Sequence, residues 1–307
     1  MRTKLYLLLL APLISLGTTS CDFGGPTLKN VDVVLISGQS NGVGCTHSDC
    51  IPDSLGIDKY DEYTIGYNGI RIAYDCWTKM WNAAGQVTGF GSQNASKKNE
   101  FVKVTLGQGN GVTTFGPEIG IAEKLHGKYD DKLFLIKFAC GGSNLKDDWL
   151  AKNSPMYPKF INYVKLQMEN LKQKGYNPTI KAFCWMQGEG DSYPGYYGVY
   201  KQNLETFVGN VRTDLSQFTN DTGMAFIDAG ISNAPDWQYY AQVNQAKAEF
   251  AEESPLNIYI DTIEAGLHTN QEPWPTIDTC HYDSESEVQL GHLFADAFEP
   301  FLEPVEE

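Results

Sequence analysis

Four short segments of the chain combine a nucleophile, a base, an acid or an amide donor with turn-forming residues. The first is GQSNG at 38–42, which places Ser40 directly after an apolar run. The last is DTCH at 278–281, in which a carboxylate stands three residues before a histidine. A serine becomes nucleophilic when a neighbouring base takes its proton, and a histidine base needs a partner on its other ring nitrogen. The two segments therefore favour acyl transfer, with Ser40 as nucleophile, His281 as general base and Asp278 as the orienting acid.

The two middle segments can supply hydrogen-bond donors and a second acid. CGGS at 140–143 contains a pair of glycines, and the bare backbone N–H of Gly142 can approach a negatively charged oxygen. WMQGEGD at 185–191 adds the side-chain amide of Gln187 and the carboxylate of Glu189. Together they can supply hydrogen-bond donors to a negatively charged oxygen, and a further carboxylate.

Each segment also has a plainer interpretation. Serine is a favoured N-cap, an aspartate can cap a turn beside an idle histidine, and a Gly-rich run is most often only a turn. Their shared position favours catalysis, because each segment follows a predicted strand or comes shortly before the last predicted helix. The carboxyl ends of the strands form the ligand-binding edge of an open α/β sheet.

The elements that would bring these segments together are five strands that alternate with helices. The predicted strands, all rich in β-branched or aromatic residues, cover 31–36, 133–138, 182–186, 224–227 and 257–260. The predicted helices, with apolar residues three and four apart, cover 119–125, 157–171, 197–218, 239–250 and 285–298. Continuous apolar runs suit strands buried on both faces, and their alternation with helices predicts a doubly wound α/β domain.

The first segment also matches the G-x-S-x-G pattern of the nucleophile elbow in α/β-hydrolases. That fold takes an oxyanion donor from a loop upstream of the elbow, and it carries acid and histidine on separate loops. Here the first predicted strand begins near residue 31, with almost nothing before it, and Asp278 and His281 share one turn. The order of the motifs argues against the α/β-hydrolase fold.

In combination, the motifs resemble those of the sialate O-acetylesterase group of SGNH hydrolases, which is related to carbohydrate esterase family six. The resemblance spans roughly residues 31–298. Its motifs are GQSN at 38–41, FGPE at 115–118, GGS at 141–143 followed by Trp149, WMQGE at 185–189 followed by Asp191, and DxxH at 278–281.

This resemblance implies a flavodoxin-like, three-layer α/β domain with a parallel sheet of about five strands. It implies removal of acetyl groups from sugars, with an oxyanion hole formed by the backbone N–H groups of Ser40 and Gly142. Gln187 would occupy the place that an asparagine fills in the wider superfamily, and Glu189 would support His281 or its loop. The serine mechanism requires neither a cofactor nor a metal.

The expected partner is an acetylated carbohydrate: a simple acetylated sugar, a sialic acid or a xylan-type polysaccharide. The candidate side chains for contacting it are Gln39, Asn41, Trp149 and Tyr193. An insertion at about 45–115, rich in Gly, Asn, Tyr and Trp, is expected to face the substrate, and the alternative is a structural flap. A carbohydrate-binding surface lipoprotein without catalysis is the competing function, and the intact set of Ser, His and Asp argues against it.

Charge narrows the range of partners further. The 307 residues include 23 Lys and Arg against 38 Asp and Glu, for a formal net charge of −15. Such a surface repels nucleic acid and anionic lipid, which leaves a neutral substrate as the simplest expectation. The run CTHSDC at 45–50 could suggest zinc, but four ligands within six residues can hardly close a tetrahedron, so no metal is expected.

The start of the chain has the form of a signal peptide over 1–20. Arg2 and Lys4 precede an apolar run at 5–16, which is too short to span a hydrocarbon core of ~30 Å. Cys21 follows small residues, as in a bacterial lipobox, where the cysteine becomes the lipidated first residue. We expect an exported cell-envelope lipoprotein of the outer membrane or periplasm, with soluble secretion as the alternative. A linker at 21–30 and an esterase domain at 31–303 would follow.

The mature protein is expected to begin at Cys21 and to carry lipid, because the leader and the small residues before Cys21 match the substrate of lipoprotein processing. Mass spectrometry of the protein from the membrane fraction checks both points. The Cys21→Ser variant serves as the control and should not acquire lipid. An unmodified, soluble chain that begins elsewhere would contradict the expectation.

Overall fold

The computed structural model describes residues 28–97, 100–269, 271–273 and 275–304. The expected leader and the lipidation site Cys21 lie outside these residues. Strand β1 already begins at Lys29, inside the expected linker at 21–30, and the Lys29 N–H donates to the carbonyl of Gly175 at 3.1 Å. Within the described ranges, none of the helices is both long and apolar enough to cross a membrane.

A single large sheet forms the centre of the molecule. The strands are β1 Lys29–Gly38, β2 Thr46–His47, β3 Tyr67–Trp81, β4 Val87–Ala95, β5 Val102–Val104, β6 Thr114–Phe115, β7 Leu133–Gly141, β8 Tyr176–Met186, β9 Ala225–Ala229 and β10 Asn257–Ile260. The large sheet has eight strands in the order β10-β9-β8-β1-β7-β3-β4, with β5 also paired to β3, and β2 pairs separately with β6.

The five strands predicted from the sequence are the parallel core of this sheet. In chain order they are β1, β7, β8, β9 and β10, and their spatial order β7-β1-β8-β9-β10 is the flavodoxin order 2-1-3-4-5. The predicted fold class is therefore confirmed. Because the chain order reverses direction at β1, the carboxyl end of β1 is where such a fold places its ligand.

Helices cover the sheet and pack against one another. They are α1 Ser40–Val43, α2 Ile51–Ser54, α3 Ile57–Ile65, α4 Glu118–Leu125, α5 Tyr157–Gln173, α6 Tyr200–Asp214, α7 Tyr240–Ala251 and α8 Ser284–Phe298. Five of them, α4 to α8, correspond to the predicted helices. Helix α4 packs on α8 and α6 packs on α7, while α5 packs on β7 and β8.

The predicted insertion at 45–115 extends the sheet. Its long strand β3 pairs in parallel with β7, and β4 and β5 pair antiparallel with β3. Sequence patterns did not predict β3, because its sequence YNGIRIAYDCWTKMW mixes polar and aromatic residues without a continuous apolar run. Only one side of this strand is shared with the five-strand core, and its burial pattern is correspondingly uneven.

A buried ion pair lies under the carboxyl edge of the sheet. Lys137 on β7 and Glu118 at the start of α4 are both completely buried, and Lys137 Nζ lies 2.7 Å from Glu118 Oε2. Lys137 also donates to the carbonyl of Val43, the last residue of α1, at 3.0 Å. Glu118 Oε1 accepts the Gly116 N–H at 3.0 Å. The pair therefore fixes the end of the short helix that begins at Ser40.

Replacing Lys137 with Met should lower the free energy of unfolding by on the order of 3–5 kcal/mol, because Glu118 would be left as a buried charge without its cation. Urea unfolding followed by circular dichroism measures this. Lys124→Met is the matched control, since Lys124 pairs with Asp296 at 2.7 Å on the surface and should contribute at most about 1 kcal/mol. Equal losses in the two variants would contradict the structural role of the buried pair.

Candidate active site

The turn that carries Ser40 requires glycine before it. Strand β1 ends at Gly38, whose φ is +140°, and a Cβ there would lie 1.9 Å from the carbonyl oxygen of Met186. The next N–H, that of Gln39, donates to the same carbonyl at 2.9 Å. The chain then turns directly into α1, which begins at Ser40. Ser40 is partly exposed while its neighbours on both sides are buried, so the hydroxyl is presented at the carboxyl edge of the sheet.

The turn before α8 holds a carboxylate and an imidazole in direct contact. Asp278 Oδ2 lies 2.7 Å from His281 Nδ1. The other oxygen, Oδ1, accepts the backbone N–H groups of Cys280 at 2.8 Å and His281 at 3.0 Å. The hydrogen bond with His281 holds the pKa of the Asp278 carboxyl well below its usual range. Asp278 is therefore ionised near neutral pH and leaves the Nε2 atom of His281 available for proton transfer.

The side chain of Asn41 links these two turns. Its Oδ1 atom accepts the backbone N–H of Tyr282 at 3.2 Å, and its Nδ2 atom donates to Glu189 Oε1 at 2.9 Å. Asn41 follows Ser40 directly, and Tyr282 follows His281 directly. Both turns are thus held beside each other by one amide, although no hydrogen bond in the described part of the chain joins Ser40 to His281. Catalytic hydrogen bonds are often long in unliganded enzymes.

Glu189 contacts the side chain of Asn41 and not the imidazole of His281. The residue is buried at the end of β8, and the hydrogen bond of its side chain runs to Asn41. Burial raises the pKa of the Glu189 carboxyl, and the opposite charge of Lys247 counteracts that rise. Because the direct partner of His281 is Asp278, Glu189 can act on the imidazole only through Asn41 or through the local field.

Gly142 lies in the turn after β7, where its role as an oxyanion donor stays a prediction, whereas the amide of Gln187 is engaged inside the protein. Gly142 follows β7 with φ +70°, in the left-handed region that favours glycine. Gln187 is completely buried, and its Nε2 atom donates to Asp191 at 2.6 Å and to Gln39 at 3.2 Å. Both amide hydrogens are therefore used inside the protein, which argues against the expected direct contact of Gln187 with the oxyanion. Its amide instead holds the turn after β8.

Three of the four expected substrate contacts need correction. Gln39 is buried, and its Oε1 atom accepts the N–H groups of Gly188 at 3.3 Å and Gly190 at 3.0 Å. Asn41 is buried in the link described above, and Trp149 is completely buried with its indole N–H on Ser143 Oγ at 2.8 Å. None of these side chains has the exposure needed to contact a sugar.

Tyr193, the fourth candidate, remains accessible. Its side chain is exposed near the His281 turn, at 39% of its full surface. Partial burial raises the pKa of the Tyr193 hydroxyl, and the negative charges of the nearby Asp236 and Cys280 groups raise it further. A contact between Tyr193 and the substrate stays a prediction.

Two features of the site were not found by sequence reasoning. Asn41 was assigned to substrate, although the short amide beside a nucleophile could have suggested a link to another turn. Trp81, at the end of β3, lies against Gly142. Sequence patterns missed its role because they did not predict β3.

The six cysteines in the described residues are free, and no group of His, Cys, Asp or Glu there could hold a metal ion.

Comparisons with known proteins agree with this geometry. The family model for carbohydrate esterases described as sialic acid-specific acetylesterases matches residues 30–299. The solved structure of NanS is similar with a TM-score of 0.60 and 15% identity, over 90% of this chain and 98% of NanS. A protein from Arabidopsis thaliana gives 0.57 and 20%, over 91% and 100% of the two chains.

A further similar structure is a carbohydrate acetylesterase from Xanthomonas citri. Its TM-score is 0.55 at 16% identity, over 88% of this chain and 56% of that one. At these identities the likeness establishes a common fold. A search of curated protein sequences found no significant match. The family model covers most of the chain, from the first strand into the last helix. The chain therefore belongs to the sialic acid-specific acetylesterase family and is a carbohydrate esterase.

Proposed function

We propose that the protein removes O-acetyl groups from carbohydrate through an acyl-enzyme on Ser40. The observation that carries this proposal is the contact of 2.7 Å between Asp278 and His281, on a turn that Asn41 ties to the serine turn. The contact orients the imidazole, and the link holds the His281 turn beside the turn that carries the proposed nucleophile. The membership of the chain in an acetylesterase family supports the acetyl group as the acyl part.

In the proposed reaction, His281 Nε2 accepts the Ser40 proton while Oγ attacks the acetyl carbonyl carbon. The carbonyl oxygen becomes negatively charged, and the backbone N–H groups of Ser40 and Gly142 are the proposed donors to it. Protonated His281 then gives the proton to the leaving sugar oxygen. A water molecule, activated by the same imidazole, attacks the acetyl-serine and releases acetate and free Ser40.

The proposed substrate is an acetylated sugar, with sialic acid esters and xylan-type polysaccharides as the two classes to be compared. The family description favours sialic acid, whereas the net charge of −15 is easier to reconcile with a neutral sugar. Acetate release from a panel of acetylated sialic acid, acetylated xylan and simple sugar acetates discriminates between them.

The proposed location is the cell envelope. It rests on the leader-like sequence at 1–20 and on Cys21, which follows small residues. A lipid anchor there would place the esterase at a membrane surface, where polymeric or exported carbohydrate is accessible.

Replacing Ser40 with Ala should abolish acetate release from 4-nitrophenyl acetate, because no other group supplies the attacking oxygen. In a well-studied serine hydrolase, loss of the nucleophile costs about 10⁶ in turnover. Circular dichroism of the variant should match the wild type. If the variant retains most of the activity, Ser40 is not the nucleophile. If the wild type itself lacks activity, the non-catalytic carbohydrate-binding protein becomes the better hypothesis.

Asp278→Asn should reduce turnover more than Glu189→Gln does, because Asp278 contacts His281 directly whereas Glu189 contacts Asn41. In a serine protease, the corresponding Asp to Asn change costs about 10⁴ in turnover, since the wrong tautomer is held. Steady-state kinetics of both folded variants measure the ratio. A larger loss in Glu189→Gln would transfer the orienting role to Glu189. Equal losses, with a double variant no worse than either, would mean that both acids act as one unit.

A further inference from the structure

We propose that Trp81 forms a binding surface for the sugar ring of the substrate, directly beside the oxyanion site. This inference rests on the proposed acetylesterase function and names the residue that would select a ring-bearing alcohol. It is carried by three observations: the contact of Trp81 with Gly142, the buried anchoring of the strand end that carries it, and the exposure of its indole.

The indole of Trp81 lies against the turn that follows β7. Strand β3 pairs in parallel with β7 as far as Thr78 and Gly141, so the two strands reach the carboxyl edge side by side. Three residues beyond that last pair, the ring of Trp81 covers Gly142, where an added Cβ would lie only 2.3 Å from the ring atom Cη2. Position 142 therefore needs glycine both for its φ of +70° and for the approach of this ring.

A buried ion pair fixes the end of β3 to the same turn. Lys79 Nζ lies 2.8 Å from Asp148 Oδ2, and that oxygen also accepts the backbone N–H of Asn144 at 2.8 Å. Lys79 and Asp148 are both buried, so separating them would leave a charge without its partner. The strand end and the turn are consequently held together, and the position of Trp81 relative to Gly142 is set by the fold.

The exposure of Trp81 indicates what it contacts. At 49% of its full surface, the indole is half covered by protein and half open to solvent beside the site. A side chain that restricts the size of the acyl group would be buried in a closed pocket. A side chain that stacks on the leaving sugar must stay accessible to solvent in the unliganded protein. The C–H face of a pyranose is a suitable apolar partner for such a ring, and aromatic side chains with a few polar groups are typical of ligand sites.

The distance along the sheet edge fits a single sugar. Ser40 follows β1, and β3 is the second strand from β1, with β7 between them. Neighbouring strands lie about 4.8 Å apart, so the end of β3 is on the order of 10 Å from that of β1. An acetyl ester joined directly to one pyranose ring can extend over that span. Tyr193, which follows β8 on the other side of β1 in the strand order of the sheet, is also accessible.

The test compares a ring-bearing ester, xylopyranose tetraacetate, with ethyl acetate, which has no ring. Trp81→Ala should lower kcat/KM for the tetraacetate by on the order of tenfold, mainly through KM, because one apolar face is no longer covered. The kcat/KM of Trp81→Ala for ethyl acetate should stay within about twofold of the wild-type value. Trp81→Phe should retain most activity on both esters. Met80→Ala is the matched control, since Met80 is also exposed but contacts the β4 side of the same strand.

Two outcomes would overturn the assignment. Equal losses on both esters would mean that Trp81 only supports the Gly142 turn. Unchanged tetraacetate kinetics with new activity on butyrate esters would make Trp81 a wall of the acyl pocket.

Failure of the proposed function has a separate signature, namely that wild type and Ser40→Ala release acetate equally poorly. In that case, NMR titration still tests the ring surface. Xylopyranose tetraacetate is titrated into the Ser40→Ala variant and into the Ser40→Ala/Trp81→Ala double variant, and the two affinities are compared. Weaker binding without the indole supports the ring surface, and equal binding refutes it.

Discussion

The site depends on one constraint, that two turns more than 200 residues apart in the chain must be held at a fixed distance. The amide of Asn41 supplies this, because one side of it accepts the Tyr282 N–H while the other donates to Glu189. A neutral amide is suited to the task, since it offers a donor and an acceptor at once and brings no charge into a buried position. Thr46 reinforces the same contact by donating to the carbonyl of Tyr282 at 2.7 Å. The Ser40 and His281 turns are thereby connected through the side chain of Asn41 and the backbone of Tyr282, so the Ser40 hydroxyl and the His281 imidazole take no part in the link.

Two buried lysines near this neutral link are each paired with a buried carboxylate. Lys137 pairs with Glu118 under α1, and Lys247 pairs with Asp228 at 2.5 Å while donating to the carbonyl of Ala229 at 2.8 Å. Each lysine thus binds a carboxylate and a backbone carbonyl near the carboxyl edge of the sheet. Such pairs contribute little net stability compared with apolar residues, but breaking one of them is costly. Their effect is to specify where the ends of strands and short helices lie, which is what a catalytic site requires.

The sequence predicted the elements that are regular and missed those that are not. Apolar runs such as 133–138 identified all five core strands, because burial on both faces leaves a continuous hydrophobic signal. The pairing of Asp278 with His281 was equally accessible, because both residues lie on one local turn. Gln187 was misassigned because its amide hydrogens are used by Gln39 and Asp191, contacts that depend on tertiary structure. Trp149 was misassigned for a similar reason, since nothing in local spacing distinguishes an indole packed in the core from one at a rim.

The arrangement also separates the chemistry from the choice of substrate. Ser40, Gly142 and the Glu189 turn follow β1, β7 and β8, three adjacent strands of the flavodoxin-like core. The insertion adds β3 to the side of β7 away from β1, and so it extends the same edge beyond the proposed catalytic residues. At the end of β3, Trp81 lies against Gly142 on that extended edge, whereas Met80 beside it contacts the β4 side. Under the proposed mechanism, variation in β3 and β4 would change the preferred alcohol and leave Ser40, His281 and Gly142 in place, so we expect selectivity at Trp81 and turnover at Ser40.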